Sequence, residues 1–209
     1  IQDKANKVYY ITKNKENNWT IELDKPIIGN INQGDFFKNN KIQMIFNTSE
    51  KLYMLDRYGR NVEKFPLKIK NSTSLGHSLF DYNKTKRYRI MLAEDNNSIT
   101  NIDRKGKKVI GWNFTPNNKI LKELQHFKSD EKDYIIKLSD KEIELLAING
   151  SSRLIFKSSE EIIIKNDFII DNNKNLLFIN KANKLLICNL DGSNSEISIE
   201  SLDTNSCLG

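Results

Sequence analysis

Short apolar runs alternate with polar turns along the whole chain, and the runs have the length of strands, not of helices. The clearest stretch is Leu79 to Phe114, where four such runs follow one another. It opens on an acid-aromatic pair, Asp81-Tyr82, and carries the tight turn Asp103-Arg104-Lys105-Gly106 near its end. The same landmarks recur as Asp35-Phe36 with Gly59, His126-Phe127 with Gly150, and Asp167-Phe168 with Gly192. Landmark and glycine are 24, 25, 24 and 25 residues apart, and successive glycines are 47, 44 and 42 apart. A period of this size with four strands per unit predicts an all-β fold built of β-propeller blades.

The period predicts a half blade over 1–24, four blades over about 31–70, 77–115, 121–158 and 161–200, and a polar tail over 201–209. Four and a half blades make an incomplete or open propeller. Expected strands are Gly34 to Phe37, Ile42 to Asn47, Lys51 to Asp56 and Asn61 to Ile69 in the first blade. The second should hold Ser78 to Tyr82, Tyr88 to Ala93, Ser98 to Asp103 and Lys108 to Phe114. Pro66 donates no backbone hydrogen bond, which suits the outer edge. The best helical spacing, Ile120, Leu121, Leu124 and Phe127, falls where the repeat requires a loop and then a strand.

The turn before each glycine explains itself. Asp56, Asp103 and Asn189 can accept a backbone N–H two residues on, and Gly at the fourth position can take positive φ and close a bulged hairpin. Phe36, Tyr82, Phe127 and Phe168 should pack between blades, and Trp19 and Trp112 should shield fourth strands.

The candidate site is the opening position itself. Asp35, Asp81, His126 and Asp167 would lie on innermost strands, once per blade. Such a ring at a channel mouth could bind a cation or a basic group. Its commoner use is structural, each side chain hydrogen-bonding a neighbouring blade. His77 falls in a connecting loop and is expected to be solvated.

Net charge is +6, but the cations are scattered on turns and alternate strand positions, so no nucleic-acid footprint is expected. Cys188 lies in an apolar run and Cys207 in the tail; they form neither a disulfide framework nor a zinc site. No apolar run approaches the roughly 20 residues of a membrane helix. There is no phosphate-binding glycine loop, HExxH, G-x-S-x-G, CxxC pair or regular calcium loop. No catalytic, cofactor or metal residues are assigned, and no cofactor is expected.

Several segments carry a resemblance. Pro26-Ile27-Ile28-Gly29, Gln33-Gly34-Asp35, Lys41 to Thr48, Leu52 to Arg60 and Phe65-Pro66-Leu67 are the first. Phe80 to Asn83, Tyr88-Arg89-Ile90, Gly111-Trp112 and Lys132 to Ile135 follow. Together they resemble the C-terminal repeat region of large, poorly characterised cell-envelope proteins of the Bacteroidota, which is similar to quinoprotein-like propellers. Asn189-Leu190-Asp191-Gly192 departs from the D-R-x-G form of the earlier turns. The resemblance implies an extracytoplasmic, periplasm-facing location and a longer parent chain, with membrane association through another region. It implies no activity.

Three functions follow as expectations. The first is a non-enzymatic scaffold for protein partners, or for the remainder of a parent chain. The second is a carbohydrate-binding, lectin-like propeller using exposed aromatics such as Tyr58. The third is a quinone-cofactor dehydrogenase, for which no stacking Trp, calcium site or adjacent cysteines are placed.

Overall fold

The computed structural model describes residues 1–11, 13–14, 17–163 and 168–199. Every regular element among them is a strand, and every pairing is antiparallel. The half blade is β1 (Lys7–Ile11) and β2 (Asn17–Glu22). Blade I is β3 (Ile28–Gly34), β4 (Gln43–Asn47), β5 (Lys51–Leu55) and β6 (Leu67–Lys68), in that order across the sheet. Blade II is three-stranded: β7 (Ser78–Phe80), β8 (Arg89–Ala93) and β9 (Ile99–Asp103). Blade III is β10 (Gln125–Ser129), β11 (Lys132–Leu138), β12 (Glu142–Leu146) and β13 (Ser152–Lys157). Blade IV is β14 (Ile169–Ile170), β15 (Leu176–Ile179), β16 (Lys184–Cys188) and β17 (Asn194–Ser198).

The middle strands of blades I and III, and β8 of blade II, are buried on both faces, which is why β4, β5, β8, β11 and β12 read as nearly continuous apolar runs. Contacts divide the chain into two compact units, Ile1–Gly111 and Trp112–Gly209. In the first, Val8 and Leu23 of the half blade pack on Phe46, Tyr53 and Leu55 of blade I. The other face of blade I, with Ile45, Leu52 and Met54, packs on Ile90, Leu92 and Ile102 of blade II. In the second, Ile136, Leu138, Ile143, Leu145 and Phe156 of blade III pack on Leu176, Phe178, Leu186 and Cys188 of blade IV. Each fully buried aliphatic side chain contributes roughly 1.5–3 kcal/mol by leaving water, so these inter-blade faces hold the units together.

The turn between the third and fourth strands behaves as its sequence requires. Gly59, Gly106, Gly150 and Gly192 all have positive φ, from 72° to 97°. Their N–H groups donate to the carbonyls of Asp56, Asp103, Ala147 and Asn189 at 2.8–3.0 Å. Asp56 and Asp103 accept from the N–H two residues on, at 2.9 and 2.8 Å. Each glycine also lies under a side chain supplied by the segment before its blade. A Cβ on Gly59 would stand 2.6 Å from the Trp19 ring, and one on Gly106 2.5 Å from Leu67. The Trp112 ring lies 3.1 Å from the corresponding position at Gly150, and Leu154 lies at an ordinary contact distance of 3.5 Å over Gly192.

Two expectations about strands fail. Blade II has no fourth strand over Lys108 to Phe114. Pairing stops after the Ile102–Lys108 bridge and the bond from Val109 N–H to the Asn101 carbonyl. The chain then leaves through fully exposed Ile110 and Gly111 at φ 81°. The Asn113 N–H is bonded to the Asn149 carbonyl at 2.6 Å instead. The first strand of blade I runs Ile28–Gly34, so Asp35 lies beyond its end. Residues 112–124 form no strand or helix, and β10 follows them.

Candidate functional site

The sequence places Asp35, Asp81, His126 and Asp167 at one register position; the structure sets His126 apart from Asp35 and Asp81. Asp35 and Asp81 begin the turn between the first and second strands. Asp35 accepts the N–H groups of Asn39 and Asn40 at 2.9 and 3.1 Å; Asp81 accepts those of Thr85 and Lys86 at 3.0 and 2.7 Å. Lys38, Asn40, Lys84 and Lys86 have positive φ within these turns, and the carboxylates hold the turns closed. His126 lies inside β10, opposite Ile135, with Nε2 2.8 Å from Asp133 Oδ1. Asp167 lies outside the described residues.

The acids that do occupy this turn in the later blades are Asp130 and Asp171. Blade III turns in two residues, Asp130-Glu131, so its acid comes four residues after His126. In blade IV, Asp171 accepts the N–H groups of Asn173 and Asn175 at 2.9 and 2.8 Å and the Asn175 Nδ2 at 3.0 Å. Two of these acids receive a lysine from the equivalent turn of the next blade. Lys86 Nζ is 2.6 Å from Asp35 Oδ2, and Lys174 pairs with Asp130. The lysine pairings hold the Asp35 and Asp130 carboxyls below the usual aspartate range. These carboxylates therefore bind cations supplied by the chain itself: Asp35 is a turn cap and an inter-blade latch, and Asp130 is a latch alone.

His77 is buried, contrary to the expectation from its loop position; it is 6% exposed. The Asn47 side chain takes its N–H at 2.8 Å, and Nδ1 lies 3.3 Å from the same oxygen. Nε2 has no partner. Burial pushes the imidazole pKa down to about 4, so His77 is neutral near pH 7.

A buried ion pair in blade III went unread in the sequence. Lys137 and Glu144 face each other across β11 and β12, 0% and 3% exposed, with Nζ 3.0 Å from Oε2. Burial opposes the charge on Glu144, but donation from Asn117, Ser152 and Lys137 holds its carboxyl below the usual range. Blade I places Phe46 opposite Tyr53 at this register, and blade IV places Phe178 opposite Leu186. The signal available in the sequence was a Lys and a Glu at facing positions of two otherwise apolar runs.

Where blade II lacks its outer strand, a cleft of about 490 Å³ lies between β6 and β9. Leu67, Leu92 and Ile102 line it, and Lys68, Lys70 and Lys108 surround it. Glu94 at its wall accepts from the Thr100 and Ser98 hydroxyls at 2.6 and 3.2 Å and from the Asn71 amide. Among the described residues, no three or more His, Cys, Asp or Glu side chains converge as a metal site.

Comparison with known proteins rests on shape. The chain superposes on BBS1N in its complex with ARL6DN, in the mercury-soaked crystal, with a TM-score of 0.64 and 10% identity over 93% of this chain and 59% of that one. It also superposes on virginiamycin B lyase from Staphylococcus aureus, with a TM-score of 0.57 and 15% identity over 96% of this chain and 69% of that one. The chain thus spans 59% of the length of BBS1N. Both neighbours are propellers, and the fold here is all-β, an incomplete β-propeller. At these identities the likeness carries the fold alone. No protein-family model and no curated protein matches the sequence.

Proposed function

We propose that the chain is a non-enzymatic β-propeller module that holds protein partners together in the bacterial cell envelope. The observation that carries this reading is how its charged groups are used. Asp35, Asp81 and Asp171 cap their first turns, and Asp35 and Asp130 take inter-blade lysines. The Lys137–Glu144 pair is sealed inside a blade, and His126 faces Asp133. None of these groups is left poised for proton transfer or nucleophilic attack. That BBS1N was crystallised as a complex with ARL6DN supports partner binding as a use of this fold. The envelope location and the larger membrane-associated parent are proposed from the resemblance of Pro26 to Thr48 and Leu52 to Leu67 to the Bacteroidota repeat region.

The lectin-like alternative rests on Tyr58, which is 55% exposed. The guanidinium carbons of Arg57 and Arg60 lie 4.7 and 5.0 Å from its ring centroid, so a sugar would compete with two cations for that ring. The deciding experiment is co-purification from envelope membranes of cells expressing the tagged chain. Stable, stoichiometric protein partners are expected. A monodisperse chain without partners, or a glycan array with strong hits abolished by Tyr58→Ala, would overturn the scaffold reading.

A further inference from the structure

Blade II stops one strand short, and the register of the other blades states what is missing. The hairpins between second and third strands align on their closing bonds. Thr48 N–H donates to the Lys51 carbonyl, Glu94 to Ser98, Ser139 to Glu142 and Asn180 to Lys184. The next residue is Leu52, Ile99, Ile143 or Leu185. Outer strands place Leu67 opposite Leu52, Phe156 opposite Ile143 and Ile197 opposite Leu185. No strand runs beside Ile99: the sheet ends at β9, and the return segment reaches only Ile102 and Asn101, through Lys108 and Val109. The cleft between β6 and β9 lies at this gap.

Blade IV shows what a filled position does next. Glu196, directly before Ile197 and opposite Leu186, reaches back to the segment that follows the outer strand of blade III. It accepts the Ser159 N–H at 2.7 Å and the hydroxyls of Ser158 and Ser159. In blade I the matching segment is Ile69-Lys70, because Ile69 N–H donates to the Glu50 carbonyl as Ser158 N–H donates to that of Lys141. Lys70 thus holds the place of Ser159. Lys68, Lys70 and Lys108 surround the cleft, and none of them forms an ion pair among the described residues. The Glu94 carboxylate in its wall is already taken by Thr100, Ser98 and Asn71. Cations are concentrated in this unit: Ile1–Gly111 carries 21 Lys and Arg against 12 Asp and Glu, and the second unit 12 against 15.

We propose that this cleft is a strand-addition site for an extended segment of a partner protein, in which an acid is followed directly by a large apolar residue. The apolar residue lies opposite Ile99, where the other blades have Leu67, Phe156 and Ile197, and the carboxylate before it reaches back to Lys70. Main-chain pairing supplies affinity, and the two side chains supply selection. This chain does not provide the segment. Its Glu196-Ile197 pair is held against β16, and residues 201–209 contain no acid followed by an apolar residue.

The inference rests on the scaffold reading and names one partner site within it. The probe is a labelled, acetylated hexapeptide, Glu-Ile-Ser-Ile-Glu-Ser, titrated into the full chain and followed by fluorescence anisotropy. Saturable binding below about 1 mM is expected. Changing the first glutamate of the peptide to lysine should weaken binding about tenfold, and Lys70→Glu in the protein should do the same. Combining the two changes should restore most of it, which a merely structural role of Lys70 would not do. N-methylation of the first isoleucine, whose N–H would face β9, should abolish binding; N-methylation of the serine after it should not. Lys4→Glu, an equal charge change on the half blade, should have no effect. No saturable binding up to about 1 mM, equal binding of the glutamate and lysine peptides, or a failed charge swap would overturn the inference. So would a dimer of this chain that Lys70→Glu dissolves, or Lys70-dependent binding to phosphatidylglycerol vesicles without peptide binding. If envelope proteins co-purify and the peptide does not bind, this cleft is refuted and the scaffold reading stands. If the peptide binds by these rules and no partner co-purifies, the peptide site stands and the scaffold reading falls.

Discussion

The Lys137–Glu144 pair offers a direct measurement of what a charge costs inside a blade. Lys137→Phe removes the cation and leaves Glu144 with Asn117 and Ser152 in a site that is 3% exposed. Glu144→Leu leaves the Lys137 ammonium with only Ser139, at 3.5 Å. Either change strands a buried charge, which costs about 3–5 kcal/mol. The fold has already solved the same register without charge, as Phe178 opposite Leu186. The double variant Lys137→Phe/Glu144→Leu should therefore unfold within about 1 kcal/mol of the parent, or above it. The assay is urea denaturation followed by far-ultraviolet circular dichroism, with Trp112 fluorescence reporting the second unit. The expected coupling energy of the cycle is about 3 kcal/mol or more, since the two groups share one network. Singles that add to the double within about 0.5 kcal/mol would refute the reasoning, because independent sites behave that way.

Three other outcomes are expected. His77 has a folded-state pKa of about 4 against 6.5 unfolded, so its contribution is complete above pH 6.5 and is lost as pH falls toward 4; at about 1.4 kcal/mol per pH unit this is about 3 kcal/mol. His77→Gln should flatten the stability profile across that window, and an unchanged slope would show that other groups carry it. Gly106→Ala forces a Cβ into φ 72° and against Leu67, costing about 1–3 kcal/mol, and adding Leu67→Ala should relieve the steric part but not the backbone part. In a Cys207→Ser background, Cys188, fully buried with its thiol pushed up to about 12, should react with a thiol reagent only as fast as the chain unfolds; rapid native-state labelling would contradict its burial.

What the sequence disclosed, and what it hid, depend on the range of the interactions involved. The hairpin at Asp103 to Gly106 is local, and its residues announced it. The blade order followed from the spacing of such hairpins. Asp35, Asp81 and His126 share a distance to glycine but not a strand position, and Asp167 lies outside the described residues. The first turn spans Asp35 to Ile42 in blade I but only two residues in blade III, so the strand positions slip between blades. The missing outer strand of blade II was invisible for a different reason. Lys108 to Phe114 has strand composition, and only Gly111 and the distant Asn149 partner divert it. His77 looked solvated because the cover over a loop histidine is a tertiary fact. Lys137 and Glu144 were hidden by alternation, which lets a charged residue pass for the solvent face of a strand that has none.

The covered glycines give the chain a direction. Trp19 lies over Gly59, Leu67 over Gly106, Trp112 over Gly150 and Leu154 over Gly192, so each lid precedes its hairpin in the sequence by 38–40 residues. Translation releases the lid before the hairpin that needs it, and domains fold N-terminal first as they emerge. Every new hairpin then closes onto a surface already standing, and assembly can advance with the ribosome. Deletions from the front would strip lids from finished turns, whereas shortening from the back would leave each remaining turn roofed.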